Sequence, residues 1–172
     1  MELGGFLMEL SIVKKDITEF NEEIAFCQCI SADAAMGAGV AVAFNKKFPD
    51  MKLKAKLKLR FTPIQDRVGS VSIYNNKERN QTVYNMITKL HYWDKALTMP
   101  EGEYLNNLRN CLEFVRDDMV QKNKTTLAMP KIGCGLDRCN WKDVENIIKE
   151  VFDDTNIKII ICILCGSVLR TA

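Results

Sequence analysis

Met129-Pro130-Lys131-Ile132-Gly133-Cys134-Gly135-Leu136-Asp137-Arg138 is the run on which the reading of this chain turns. It follows a short apolar stretch, residues 126–129, which Pro130 brings to a stop. Shortly after it comes an amphipathic pattern over 141–152, with Trp141, Val144, Ile148, Val151 and Phe152 at helical spacing. Asn140 is placed to cap that helix and Asp143 lies in its first turn. A strand, a glycine loop and a helix in succession are α/β grammar. Open α/β sheets bind ligands beyond the carboxyl ends of their strands. Gly133 and Gly135, one residue apart, can form a concave row of N–H donors suited to a diphosphate. Asp137 is the carboxylate nearest this loop, with a helix-capping role as its plain alternative. Cys134 sits between the glycines, but the chain's one histidine, His91, is far off in sequence, which argues against a Cys–His nucleophile.

A second glycine loop follows another predicted strand. Residues 24–30 form an almost unbroken apolar run, as expected of a strand covered on both faces. They lead into Ser31-Ala32-Asp33-Ala34-Ala35-Met36-Gly37-Ala38-Gly39-Val40-Ala41. Gly37 and Gly39 permit close approach of a ligand to the backbone. A helix predicted over 40–48 offers unpaired N–H groups to an anion. The loop lacks the Gly-Lys-Ser/Thr of a P-loop, and Val42 occupies the third glycine position of a dinucleotide fingerprint. By itself this Gly-x-Gly is equally a tight turn. A third loop begins at Thr88-Lys89, the end of a predicted strand over 82–87. A lone lysine is ordinarily a solvated charge; Lys89 matters only if the sheet order sets it beside Asp137.

The remaining elements fit the same pattern. Residues 10–13 read as a short strand, and 68–74 with 82–87 as a hairpin closed by the polar turn around Lys77, Glu78 and Arg79. Residues 157–164, the most apolar stretch, read as a central strand. Leu105, Leu108, Leu112, Val115 and Met119 mark a helix over 103–122. The segment 51–60 is ambiguous. Met51, Leu53, Ala55, Leu57 and Leu59 alternate with Lys52, Lys54, Lys56, Lys58 and Arg60, which is strand periodicity, while Leu, Lys and Ala are good helix formers. The basic row reads as a solubilising face, with nucleic acid or another polyanion as the less favoured partner.

Composition sets wider bounds. With 172 residues, 47% hydrophobic and 27% charged, the chain has the size and balance of one globular domain. That domain is expected over 9–165, with 1–8 and 166–172 as terminal extensions. A net charge of +2 selects no partner class. No stretch approaches the roughly 18 apolar residues of a membrane span, so no membrane partner is expected. The seven cysteines, with no secretory leader in the opening residues, imply a reducing intracellular setting, nucleus or cytoplasm. Cys27-x-Cys29 and Cys162-x-x-Cys165 fit neither zinc nor redox pairs well and read as buried small hydrophobes. No metal and no cofactor is expected.

Taken together, the residues resemble a known family. The run Cys29–Ala41, followed by Phe44 and Lys46-Lys47-Phe48, is similar to the second loop of macrodomains, and Met129–Arg138 with Trp141 to their diphosphate loop. Met-Gly-Ala-Gly and Ile-Gly-Cys-Gly-Leu-Asp resemble the wording of the terminal ADP-ribose protein glycohydrolase subfamily. Lys15-Asp16-Ile17 resembles the Gly-Asp-Ile/Leu after the first macrodomain strand, with Lys15 in place of the glycine. Tyr84-Asn85-Met86-Ile87-Thr88-Lys89 resembles the strand that ends in that subfamily's catalytic lysine, although Leu90-His91 follows instead of a second lysine. The resemblance runs from about Leu10 to Leu164.

What the resemblance implies is specific. The fold would be α/β, a three-layer α/β/α macrodomain with a mixed, roughly six-stranded central sheet, and the segment 51–60 would be helical. ADP-ribose would lie across the strand ends. Asp16 and Ile17 would sit near its adenine. Ser31, Gly37, Ala38, Gly39 and Val40 would line the distal ribose and phosphates, with Thr88 and Ile132 in the same set. Gly133, Cys134, Gly135 and Leu136 would cradle the diphosphate, and Lys89 and Asp137 would flank the reacting C1″ carbon. The implied activity is removal of ADP-ribose from glutamate or aspartate esters and deacylation of O-acyl-ADP-ribose, by a monomer. The alternatives are a non-catalytic ADP-ribose reader and an ADP-ribose-1″-phosphate phosphatase.

Overall fold

A computed structural model describes residues 8–164. Six strands form one sheet: β1 (Glu9–Lys14), β2 (Ile24–Ser31), β3 (Val71–Asn76), β4 (Gln81–Lys89), β5 (Thr126–Met129) and β6 (Lys158–Ile163). Their order is β1-β6-β5-β2-β4-β3. Every neighbouring pair is parallel except β3–β4, which is an antiparallel hairpin. The helices are α1 (Val40–Lys47), α2 (Met51–Leu59), α3 (Ile64–Arg67), α4 (Glu103–Gln121) and α5 (Trp141–Phe152).

β2 and β4 are buried along nearly their whole length, their polar Gln28 and Asn85 bonded to each other at 2.8 Å, as strands covered on both faces require. Their side chains divide by alternation. Ala25, Cys27, Tyr84 and Met86 join Leu108, Leu112 and Val115 of α4 and Val144, Ile148 and Phe152 of α5 in one core. Ile24, Phe26, Ile30, Val83 and Ile87 join Ala41 and Phe44 of α1 and Met51, Ala55 and Leu59 of α2 in the other. Helices therefore cover both faces, giving the expected three layers. Each fully buried aromatic or aliphatic side chain of these cores contributes about 2–3 kcal/mol.

Three expectations are refined. The segment 51–60 is a helix over Met51–Leu59, because Met51, Ala55 and Leu59 recur every fourth residue and enter the core. Leu53 and Leu57, which the alternation would have buried with them, are exposed. The apolar stretch at 157–164 yields β6, interior but not central: it lies between β1 and β5, one strand from the edge. The first hairpin strand begins at Val71 rather than residue 68, since Gly69 takes φ +84° and turns the chain there. Of the expected terminal extensions only Met8 is described, and it packs against the first core. Cys165, with the pair it would complete, lies outside the described residues.

Candidate active site

Five of the six strands run the same way, so β1, β6, β5, β2 and β4 all finish at one sheet edge, at Lys14, Ile163, Met129, Ser31 and Lys89. The loops carrying Asp16, the first glycine pair, Lys89 and the second glycine pair leave from that edge. From β1 to β4 is four strand spacings, roughly 19 Å. The edge is therefore a linear frame for an elongated ligand, with Asp16 at one end and Lys89 at the other.

Lys89 and Asp137, 48 residues apart, meet in a buried ion pair through Asp137 Oδ1. They are 7% and 8% exposed. Two further acceptors complete the shell of the lysine Nζ, the carbonyls of Tyr92 at 3.0 Å and Asp94 at 3.1 Å. The second carboxylate oxygen of Asp137 accepts from the Tyr104 hydroxyl. Burial first, and then the neighbouring Cys29 and Asp137 groups, push that phenol well above its ordinary pKa, so it stays a donor. Thr88 Oγ1 donates to the same phenolic oxygen at 3.2 Å. Tyr104 is absent from the sequence reading because it falls on the core stripe of α4, where an aromatic residue signals only packing.

The second glycine loop is tightly folded. Ile132 N–H donates to the Pro130 carbonyl at 2.7 Å and Cys134 N–H to that of Lys131 at 3.2 Å. Among the described residues the N–H groups of Gly133, Gly135 and Leu136 have no such internal acceptor. The donor row therefore runs through the two glycines and Leu136, with the Cys134 N–H turned inward. Gly133 takes φ +71°, and a Cβ on it would stand 3.2 Å from Tyr104 Cε1. Over Gly135 a Cβ would meet nothing within 4 Å, so this loop faces open space. Burial pushes the Cys134 thiol up to about 11. His91 faces the Asp94 carboxylate at 3.4 Å and stacks on Trp93 with ring centroids 4.4 Å apart. Cys134 thus has neither a low pKa nor an imidazole base.

The first glycine loop is held from within. Asp33 Oδ1 accepts from the Ser31 hydroxyl at 2.5 Å and from the Ala35 N–H at 3.0 Å. Arg67 donates to the Ala32 carbonyl at 2.9 Å, and Asn45 to that of Met36 at 3.2 Å. Gly39 enters α1 at φ +65°, and a Cβ there would lie 3.8 Å from Leu136 Cδ1. The two glycine loops therefore face each other, with Gly37, Ala38 and Gly39 exposed on one side and Gly135 and Leu136 on the other. Val40, half-buried, opens the helix beneath them.

The other expected binding residues are placed as follows. Asp16 caps a 3-10 turn, Ile17–Glu19, accepting from the Thr18 N–H at 2.9 Å and the Thr18 hydroxyl at 2.7 Å, and these bonds hold its carboxyl below the usual range. Ile17, Thr88 and Ile132 turn their side chains into the protein. Lys15, which stands where the resemblance expects glycine, lays its ammonium 3.9 Å from the centre of the Phe20 ring. Among the described residues no group of three or more His, Cys, Asp or Glu side chains is placed to hold a metal ion, and no helix is long and apolar enough to cross a membrane. An open concavity of about 490 Å³ beside Arg116, Glu150 and Asp154 lies at the other end of the sheet, where α4 and α5 finish, and contains none of these residues.

This arrangement can be set against known proteins. A sequence model of the Macro domain matches residues 29–148. Bovine (Bos taurus) ADP-ribose glycohydrolase OARD1 is 36% identical over 150 residues, covering 87% of this chain and 88% of that protein. The macrodomain of Thermus aquaticus DarG superposes with a TM-score of 0.73 at 19% identity, over 89% of this chain and 96% of its own. Thermosipho africanus DarTG in complex with ADP-ribose superposes with a TM-score of 0.76 at 16% identity, over 96% of this chain and 44% of its own. The two facing glycine loops lie largely within the matched span, and both the sequence relative and the solved structures share the six-stranded, three-layer frame or its sequence: the chain belongs to the Macro domain family.

Proposed function

We propose that the protein is a hydrolase that releases ADP-ribose from glutamate and aspartate esters on proteins and deacylates O-acyl-ADP-ribose. One observation carries the reading: a buried amine–carboxylate pair, Lys89 and Asp137, at the end of a cleft walled by two glycine loops. The relative's name, ADP-ribose glycohydrolase, supports it. The N–H groups of Gly133, Gly135 and Leu136 face the diphosphate, Gly37–Gly39 close the opposite side, and Asp16 lies toward the adenine. The distal ribose then points at Lys89 and Asp137.

In the direct route the C1″–O bond of the ester breaks with its electron pair leaving on the carboxylate. Water adds to the oxocarbenium-like C1″ while Asp137 takes the water proton, and ADP-ribose and a free acid leave. In the covalent route Lys89 first gives a proton to Asp137. Its neutral nitrogen then displaces the carboxylate at C1″, ring opening gives a Schiff base, and water releases ADP-ribose. Transfer of one proton to Asp137 frees the nitrogen lone pair while the Tyr92 and Asp94 carbonyls hold the two remaining N–H groups, so the arrangement serves either route. Borohydride added during turnover separates the two: only a Schiff base leaves ADP-ribose bonded to Lys89. The same reading makes the protein a monomer of the nucleus or cytoplasm, consistent with free thiols at Cys27, Cys111 and Cys162.

The test is incubation with a glutamate-ADP-ribosylated protein. Release of ADP-ribose by the wild type and its loss in Lys89→Ala/Asp137→Ala are expected. Undiminished turnover by that double variant would refute the assignment. Tight ADP-ribose binding without any product would identify a reader, and phosphate release from ADP-ribose-1″-phosphate a phosphatase.

A further inference from the structure

We propose that Tyr104 is a positioning residue for this reaction, fixing the Asp137 carboxylate against Lys89 and linking it to the diphosphate loop; the inference rests on the hydrolase reading above. Tyr104 lies in the first turn of α4 and is 2% exposed. A purely structural tyrosine on a core stripe needs only an apolar slot and one partner for its hydroxyl. This one touches three functional elements at once.

Its hydroxyl donates to Asp137 Oδ2 while Lys89 takes Oδ1. Each carboxylate oxygen is thus held by a donor from a different element, the end of β4 and the start of α4. With both oxygens fixed, rotation about the Asp137 side-chain bond is stopped. Thr88 Oγ1 donates to the phenolic oxygen, which leaves the phenol proton aimed at Asp137. Asn107 Nδ2 in turn donates to the Thr88 carbonyl at 3.1 Å, so the support continues one turn along α4. The ring lies against Gly133, where a Cβ would come within 3.2 Å of it. A glycine at that place lets one side chain serve both the loop that faces the diphosphate and the carboxylate that acts at the far sugar. Because burial keeps the phenol protonated, this donor does not switch off within the working pH range.

Removing the hydroxyl would leave Asp137 Oδ2 buried without a donor. A hydrogen bond to a charged group that orients a base is worth roughly 10- to 100-fold in rate. Tyr104→Phe keeps the ring, and with it the fold and the loop. It is expected to lower kcat by roughly 10- to 100-fold, with KM and the calorimetric Kd for ADP-ribose changed by less than about threefold. Tyr104→Leu removes the ring as well and is expected to weaken ADP-ribose binding in addition. Wild-type kcat in Tyr104→Phe would overturn the proposal. So would equal losses in kcat and ADP-ribose affinity, which would make Tyr104 a support for the loop alone. A crystal structure of Tyr104→Phe with ADP-ribose gives a readout independent of turnover. Rotation of Asp137 away from Lys89 supports the positioning role even if the wild type proves to be a non-hydrolysing reader, and an unmoved carboxylate would overturn it.

Discussion

Replacing Lys89 with methionine keeps most of the side-chain volume but removes the ammonium from a nearly dry site. Asp137 then keeps only the Tyr104 hydroxyl as a side-chain donor. The Tyr92 and Asp94 carbonyls lose their shared partner as well, but they belong to an exposed loop that water can reach. Breaking a buried ion pair from one side costs about 3–5 kcal/mol. The surviving bond from Tyr104 places this site at the lower end, about 3 kcal/mol. For a domain of this size that is a fall in Tm of roughly 6–12 °C. It is well within the total stability of an ordinary domain, about 5–15 kcal/mol, so the variant remains folded and can be assayed. Asp137→Asn leaves an ammonium among two carbonyls and an amide oxygen, a milder defect of about 2 kcal/mol. The combination Lys89→Met/Asp137→Asn removes both charges, and its loss should be near 2 kcal/mol, far below the sum of the single losses. The assay is urea unfolding of the four proteins at neutral pH, read as a double-mutant cycle. Additive losses would mean that the two side chains do not bear on each other, and the account of the site as a coupled pair would fail.

Four further outcomes are expected. Gly133→Ala should lose about 1–2 kcal/mol of stability, from its φ of +71° and the close approach to Tyr104. Gly135→Ala, with open space above it, should be nearly as stable as the wild type yet bind ADP-ribose more weakly; wild-type affinity by calorimetry would place the diphosphate elsewhere. Cys134→Ala should turn over within about threefold of wild type, since a thiol pushed up to about 11 is no nucleophile at neutral pH, and rapid inactivation by iodoacetamide would contradict this. Stability should also fall on the alkaline side. Burial pushes the Cys134 and Cys162 thiols up to about 11 and those of Cys111 and Cys139 to about 12. Above their ordinary pKa of about 8.5 the unfolded chain releases these protons while the folded one keeps them. Their contribution is therefore complete below about pH 8 and declines as pH rises toward the folded values. A urea midpoint that stays flat between pH 8 and pH 10.5 would be inconsistent with those buried thiols.

What the chain discloses before it folds follows from how far each signal reaches. β2 is legible because an almost unbroken apolar run has one use, a strand between two helix layers, and β4 because a β-branched run after a polar turn marks a hairpin; the structure divides the side chains of both between two cores. The glycine loops are legible because only glycine is cheap where the backbone must take positive φ, as at Gly39 and Gly133. The segment now known as α2 resists reading because its Leu–Lys alternation has period two, while the positions that pack, Met51, Ala55 and Leu59, have period four. No local property chooses between them; the choice is made by the strands beneath. The Lys89–Asp137 contact is likewise invisible in spacing. It exists because β2 lies between β4 and β5, so that the loops from those two strands must meet over its end. Tyr104 is the limiting case. Its ring lies on the buried face of α4, one residue before the stripe that the sequence pattern marks from Leu105. Its hydroxyl acquires meaning only when Thr88 arrives from β4 and Gly133 and Asp137 from the loop after β5. A side chain that is half packing and half chemistry shows a linear sequence only its packing half. The places to search next in such a fold are therefore the polar tips of residues that the periodicity has already assigned to the core.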